Sequence, residues 1–113
     1  MIRVLIVDDS LFVRKVLRDI LEKDEEVEVV GEAKNGREAL ESIYLLNPDV
    51  ITLDIEMPVM GGLTTLREII RNYNIPVIML SSFTKEGAQL TLKALEEGAF
   101  DFMPKPSNLF SLE

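Results

Sequence analysis

The sequence contains no cysteine and no histidine. Without cysteine there is no disulfide to staple the fold and no thiolate to serve as nucleophile or soft metal ligand, a composition that suits a reducing compartment. Without histidine, no Ser-His-Asp triad, imidazole metal site or phosphohistidine can exist within these 113 residues. Basic residues are in deficit, 12 Lys and Arg against 20 Asp and Glu, for a net charge of −8. Nucleic acids and anionic membranes are bound through basic patches, so neither is expected as a partner. No apolar run approaches the roughly 20 residues that span a bilayer, and the start MIRVLIVDD lacks a signal-peptide layout, so the expectation is a cytoplasmic chain.

What is present is an ordinary globular balance, 47% hydrophobic and 28% charged, in a length that suits one domain with one core over residues 1–113. Short β-branched runs alternate with longer segments of helical spacing. Residues 2–7 read as a strand covered on both faces. Ser10 can cap a helix that carries Phe12, Val13, Val16, Leu17, Ile20 and Leu21 on one face. VEVVGEA (27–33) is a second strand, and Asn35 can cap a helix with Ala39, Leu40, Ile43 and Leu46 inward. DVITLD (49–54) is a third strand, then the EMPVMGG loop, where Gly61-Gly62 serve the turn, then a helix marked by Leu63, Leu66, Ile69 and Ile70. IPVIMLSS (75–82) is a fourth strand, and Thr84 can cap a helix with Ala88, Leu92 and Leu95 inward and Gly98 as its stop. FDFM (100–103) is a short fifth strand; Pro104 cannot donate to a ladder and places it at a sheet edge. Alternating β and α predicts a doubly wound parallel sheet with helices on both faces. After Ser107 six residues remain, too few for a last helix that covers a sheet face, so that helix is expected to be truncated, with the natural chain continuing or a partner covering this face.

In such sheets ligands bind outside the carboxyl ends of the strands, at a switch in strand order. Asp8 and Asp9 follow strand one, Asp54 ends strand three, Ser81 and Ser82 end strand four, and Lys105 follows strand five; all would face one crevice. Three carboxylates brought together repel unless a cation or protons intervene. Mg²⁺ is one resolution, since it takes oxygen ligands from one or two carboxylates together with phosphate oxygens and water. With Lys105 as a fixed positive charge and Ser81 as a hydroxyl donor, the set suits a phosphoryl group. No His, Cys or G-x-S-x-G is available as nucleophile; a carboxylate remains, and carboxylates form acyl phosphates.

Each residue alone has a plainer reading. Asp8 and Ser10 make a turn and a helix cap, Asp54 can cap a turn, Ser81 and Ser82 suit a turn, Lys105 suits a solvated loop, and Met57, Met60, Met79 and Met103 are packing material. The coincidence of all the acids, hydroxyls and the lysine at carboxyl ends of successive strands favours a site.

The stretches VLIVDDS, PDVITLDIEMPVMGG, PVIMLSS and GAFDFMPKP together resemble the receiver domain of bacterial two-component response regulators over almost the whole chain. The resemblance implies a flavodoxin-like five-stranded sheet in order 2-1-3-4-5. It implies Asp54 as phosphoacceptor, Asp9 as a direct Mg²⁺ ligand, Asp8 as a direct or water-mediated one, and Glu56 as a ligand through its backbone carbonyl. Ser81 would be the switch hydroxyl, Phe102 the switch aromatic, Lys105 the phosphate-pairing lysine, and Lys105-Pro106 the peptide bond that is often cis in this family. SSFTKEGAQLTLKALEEGAFDFMPKPS, with LDIEMPVMGG and DSLFVRKVLRDIL, looks most like the receiver of the chemotaxis protein-glutamate methylesterase. Phe102 stands where that group has tyrosine, and Pro104 precedes Lys105 where a more flexible residue is usual. The resemblance implies a histidine kinase as phosphodonor, catalysis by the domain of its own phosphorylation and dephosphorylation, and control of an attached output domain, a methylesterase, whose own motifs are absent here. Other readings are a stand-alone signalling protein, the receiver of a DNA-binding regulator, and a Mg²⁺-dependent phosphatase of the haloacid dehalogenase kind. The last is disfavoured, since it calls for D-x-D at the nucleophile and a cap insertion.

Overall fold

The computed structural model describes residues 1–106. Strands β1 (Ile2–Val7), β2 (Val27–Ala33), β3 (Val50–Asp54), β4 (Val77–Ser81) and β5 (Asp101–Pro104) alternate with helices α1 (Leu11–Leu21), α2 (Gly36–Leu46), α3 (Gly62–Asn72) and α4 (Lys85–Glu96). Every strand pair is parallel, in the order β2-β1-β3-β4-β5 expected from the sequence. The expected truncated last helix falls on residues outside those described.

The central strands β1, β3 and β4 are largely apolar on both faces because both are covered. Along β1, Val4 and Ile6 join Val13 and Leu17 of α1 on one side of the sheet. Leu5 and Val7 join Ala39 and Ile43 of α2, Leu66 and Ile69 of α3 and Ala94 of α4 on the other. Each fully buried Val, Leu or Ile contributes about 1.5–3 kcal/mol relative to exposure, so the central strands carry much of the stability. The predicted caps form. Ser10 Oγ accepts from the Val13 N–H at 3.2 Å, Asn35 Oδ1 from Glu38 at 2.9 Å, and Thr84 Oγ1 from Gly87 at 2.9 Å. Such caps contribute on the order of 1 kcal/mol each and fix where each helix leaves the carboxyl edge. Gly98 follows α4 at φ +119, a backbone that side chains rarely adopt. Pro104 pairs with Ser81 on the edge strand, where its missing donor is tolerated.

Four expectations are corrected. In α4 the residues turned to the sheet are Gly87, Thr91 and Ala94, whereas Ala88 and Leu92 are exposed. The helix sits close to β4, a Cβ on Gly87 would meet Ser82 Oγ at 2.1 Å, and so the small side chains face inward. In α1, Val13 and Leu17 are buried but Phe12 and Ile20 are exposed, because a narrower stripe than the sequence offers meets the sheet. Gly62 does more than turn the chain: a Cβ there would lie 2.3 Å from the Asp54 carbonyl, so its lack of a side chain lets α3 start against the end of β3, while Gly61 is open. Lys105-Pro106 is trans, like every described peptide bond; the Lys105 N–H donates to the Ser81 carbonyl at 2.9 Å, and Pro106 adopts helical backbone.

Candidate functional site

The strand order reverses between β1 and β3, and the acids lie where those two strands end. Asp8 continues the ladder past β1 by donating its N–H to the Ala33 carbonyl at 3.0 Å. Its Oδ1 accepts from the Ser10 N–H at 2.9 Å, and its carbonyl oxygen accepts from Arg14 Nη1 at 2.7 Å. Arg14 and Arg18, one turn apart on α1, both clasp Glu32 near the end of β2, at 3.0 and 2.8 Å. Burial alone would raise the Glu32 carboxyl, but Arg18 and Arg14 outweigh it and hold it below its usual range. The loop that carries Asp8 and Asp9 is thus braced from α1 and β2. Sequence reasoning missed this brace, since nothing in spacing alone pairs Glu32 with residues 14 and 18.

Asp54 ends β3 with 0% of its surface exposed. Its Oδ1 accepts from the Glu56 N–H at 3.2 Å and its Oδ2 from Lys105 Nζ at 3.0 Å. Lys105 Nζ also stands 3.4 Å from Asp8 Oδ2, within ion-pair reach but out of hydrogen-bond alignment. Asp8 Oδ2 is left buried with no hydrogen-bond partner. Asp8, Asp9 and Asp54 each bring a carboxylate oxygen within 4.8 Å of the others; Asp8 and Asp54 are buried and Asp9 is exposed.

These neighbours set the charges. Burial raises the Asp54 carboxyl and the Asp8 charge adds to it, so that against the pull of Lys105 its pKa stands at about 7. Asp8 is raised too, by burial and then by Asp9, against the Ser10 N–H and Lys105. Burial pushes Lys105 down, but Asp54 and Asp8 overcome it and hold the ammonium above its ordinary value. With all groups ionised, three carboxylates face one ammonium, and two negative charges are left uncompensated. The orphaned Asp8 oxygen, the oxygen-only donors and the solvent-facing Asp9 fit a hard divalent cation that keeps part of its water.

The two serines stand apart from this cluster, against the expectation that every polar group at the edge faces one crevice. Ser81 Oγ lies 3.0 Å from Thr91 Oγ1 of α4. Ser82 Oγ donates to the Glu56 carboxylate at 3.0 Å and lies 3.0 Å from Thr84 Oγ1. Glu56, the acid two residues after Asp54, is therefore turned toward β4 and away from Asp54. Phe102 is 50% exposed beside a cavity of about 410 Å³ whose lining includes Ser81, Ala88 and Phe102. Thr91 is a second residue the sequence reading missed; its place on the small-residue face with Gly87 and Ala94 was the available signal.

The family model described as response regulator receiver domain matches residues 4–113. A protein-glutamate methylesterase/protein-glutamine glutaminase of Bacillus subtilis is 59% identical over 113 residues, all of this chain and 32% of that protein. Its namesake in Pyrococcus abyssi is 59% identical over 111 residues, 98% of this chain and 30% of that protein. The chain thus spans about a third of the length of these relatives. The crystal structure of the response regulator domain of Thermotoga maritima CheB matches at TM-score 0.86 and 52% identity, covering 94% of this chain and 79% of that one. The receiver domain of NtrX from Brucella abortus matches at TM-score 0.80 and 30% identity, covering 91% and 85%. Parallel order 2-1-3-4-5, an acid cluster at the switch point, and a family model that runs from the first strand to the end of the sequence agree: this chain belongs to the response regulator receiver domain family.

Proposed function

We propose that this domain accepts a phosphoryl group on Asp54 from the phosphohistidine of a partner histidine kinase, in a Mg²⁺-dependent reaction in the cytoplasm. We further propose that the modification controls an attached protein-glutamate methylesterase. The observation that carries the reading is the placement of Asp54: a buried carboxylate joined to Lys105 and within ligand reach of Asp8 and Asp9. The methylesterase output rests on the names of the relatives, of which this chain spans about a third.

In the transfer, an Asp54 carboxylate oxygen forms a bond to phosphorus as the bond from phosphorus to the kinase imidazole nitrogen breaks; that nitrogen keeps the electron pair. Hydrolysis later returns the carboxylate and inorganic phosphate. Asp8, Asp9 and Asp54 would hold Mg²⁺ with the Glu56 backbone carbonyl, and the ion supplies neutralisation of phosphoryl oxygen charge. Asp54 must be ionised to attack, and with its pKa at about 7 the protonated fraction near neutrality is substantial. Lys105, already 3.0 Å from Asp54, is placed to pair a phosphoryl oxygen. Ser81 would move toward another, and Phe102 would fill the space vacated beside α4. Phenylalanine has no hydroxyl to keep in water, so the inward ring position costs less than for tyrosine.

The test is intact-mass analysis after incubation with acetyl phosphate and Mg²⁺. The chain should gain one phosphoryl mass, and Asp54→Asn none, because an amide is not a nucleophile. Equal labelling of the variant refutes the assignment.

A further inference from the structure

Ser81 is engaged before any phosphoryl group arrives. Its Oγ lies 3.0 Å from Thr91 Oγ1 and 3.3 Å from the Ser82 carbonyl oxygen. Thr91, in the middle of α4, is 4% exposed, and its Oγ1 also lies 2.8 Å from the Gly87 carbonyl one turn earlier. A hydroxyl has one proton to give and can accept as well. Thr91 directs its proton at two acceptors, the Gly87 carbonyl and Ser81 Oγ, and Ser81 gives its own to the Ser82 carbonyl. The Ser81 oxygen is thereby tied to α4. The Asp54 oxygens take their hydrogen bonds from Glu56 and Lys105.

A second observation concerns the space that the contact bounds. Ser81 and Thr91 line, with Ala88, Leu92 and Phe102, a cavity of about 200 Å³ between α4 and the edge strand. The hydroxyl pair is therefore a wall of the room into which the Phe102 ring would turn. Thr91 needs no second partner for its own sake: donation to the carbonyl four residues back satisfies a helical threonine. Valine would fill the same volume in α4 without the oxygen.

We propose that Thr91 is a positioning residue that latches Ser81 in the unphosphorylated state. It competes with the phosphoryl group for the Ser81 hydroxyl and so sets how strongly the unmodified domain resists activation. This rests on the reading of Ser81 as the hydroxyl that moves to a phosphoryl oxygen. Removing the latch raises the free energy of the resting arrangement only, and an equilibrium shifts by that difference. A neutral hydrogen bond of ordinary strength then predicts about three- to tenfold tighter binding of a phosphoryl mimic.

The experiment titrates beryllofluoride, at fixed Mg²⁺, into the 113-residue chain, four single variants and one double variant, followed by amide NMR of residues 84–105. Thr91→Val should bind about three- to tenfold more tightly than wild type, and its α4 amides without beryllofluoride should already be displaced toward their bound positions. Thr91→Ala, which also lacks the oxygen, should tighten binding as well. Thr91→Ser should match wild type, which a purely packing role for the threonine methyl would not produce. In Ser81→Ala, replacing Thr91 by Val should change nothing, since the latch has no partner. Thr91→Val and Thr91→Ala that bind as wild type or more weakly overturn the latch while the Ser81 reading stands. A Ser81→Ala single variant that binds and shifts as wild type does overturns the Ser81 reading, and the latch falls with it.

Discussion

The role proposed for Asp54 asks that it be ionised to attack, while its burial among like charges favours the protonated form. Its pKa of about 7 against an ordinary 3.8 means that the folded metal-free chain holds a proton that the unfolded chain releases. Between those values the native state binds more protons, so this group's contribution to stability is fully present below about pH 4, declines as pH rises, and is lost above about pH 7. Asp54→Asn should therefore stabilise the metal-free protein by on the order of 2 kcal/mol at pH 8 and have little effect near pH 4.5. Urea unfolding at both pH values checks this. A difference independent of pH would mean that the repulsion at the strand ends is not what Asp54 experiences. Neighbouring residues show what was legible at this scale. Asp8, Asp9, Asp54 and Lys105 could be placed from sequence because each sits at a strand end, and strand ends at one edge converge. Arg14, Glu32 and Thr91 could not, because their partners are set by how helices roll on the sheet.

At the scale of elements, α4 is where sequence and structure part. Helical spacing was right about its existence, its Thr84 cap, its Gly98 stop and the inward Leu95, and wrong about Ala88 and Leu92. Hydrophobic periodicity assumes that the largest apolar residues seek the core, whereas the fully buried positions of α4 are Gly87, Thr91 and Ala94. The outward apolar residues have a place in the proposed function: Phe83, Leu92 and Phe102 are all exposed along α4 and β5, the surface expected to meet the output domain. NMR spectra with and without Mg²⁺–beryllofluoride should show shifts that spread from Asp54 through Ser81 to residues 84–97 and 100–105. Perturbations confined to the loops after β1 and β3 would show that phosphate is sensed but not relayed along this path. The fold itself was readable throughout, order 2-1-3-4-5 included, though the order came from resemblance and the alternation of β and α from the residues.

For the whole molecule, the unbalanced charge at the strand ends weighs against stability, and the proposed Mg²⁺ would relieve it. Ligands that bind only the native state stabilise it by mass action, about 1.4 kcal/mol at tenfold over Kd. In a domain of this length that is a rise of roughly 5 °C in Tm. Mg²⁺ at millimolar concentration should produce a rise of this size, measurable by calorimetry, and Asp9→Ala should abolish it. The same variant without metal should melt no lower than wild type, because a repulsion has been taken away. An Asp9→Ala protein that responds to Mg²⁺ as wild type does would remove Asp9 from the ligand set.

The described helices divide unequally, α1 on one side of the sheet and α2, α3 and α4 on the other. The acid loop is braced from the α1 side, through Arg14, Arg18 and Glu32, while Ser81 is held from the α4 side by Thr91. The frame of the acids and the hold on Ser81 thus lie on opposite faces of the sheet, and Thr91 is where the two meet. Substitutions on the outer side of α4 that spare Thr91 should refit the domain to a new partner without altering how the acids are held.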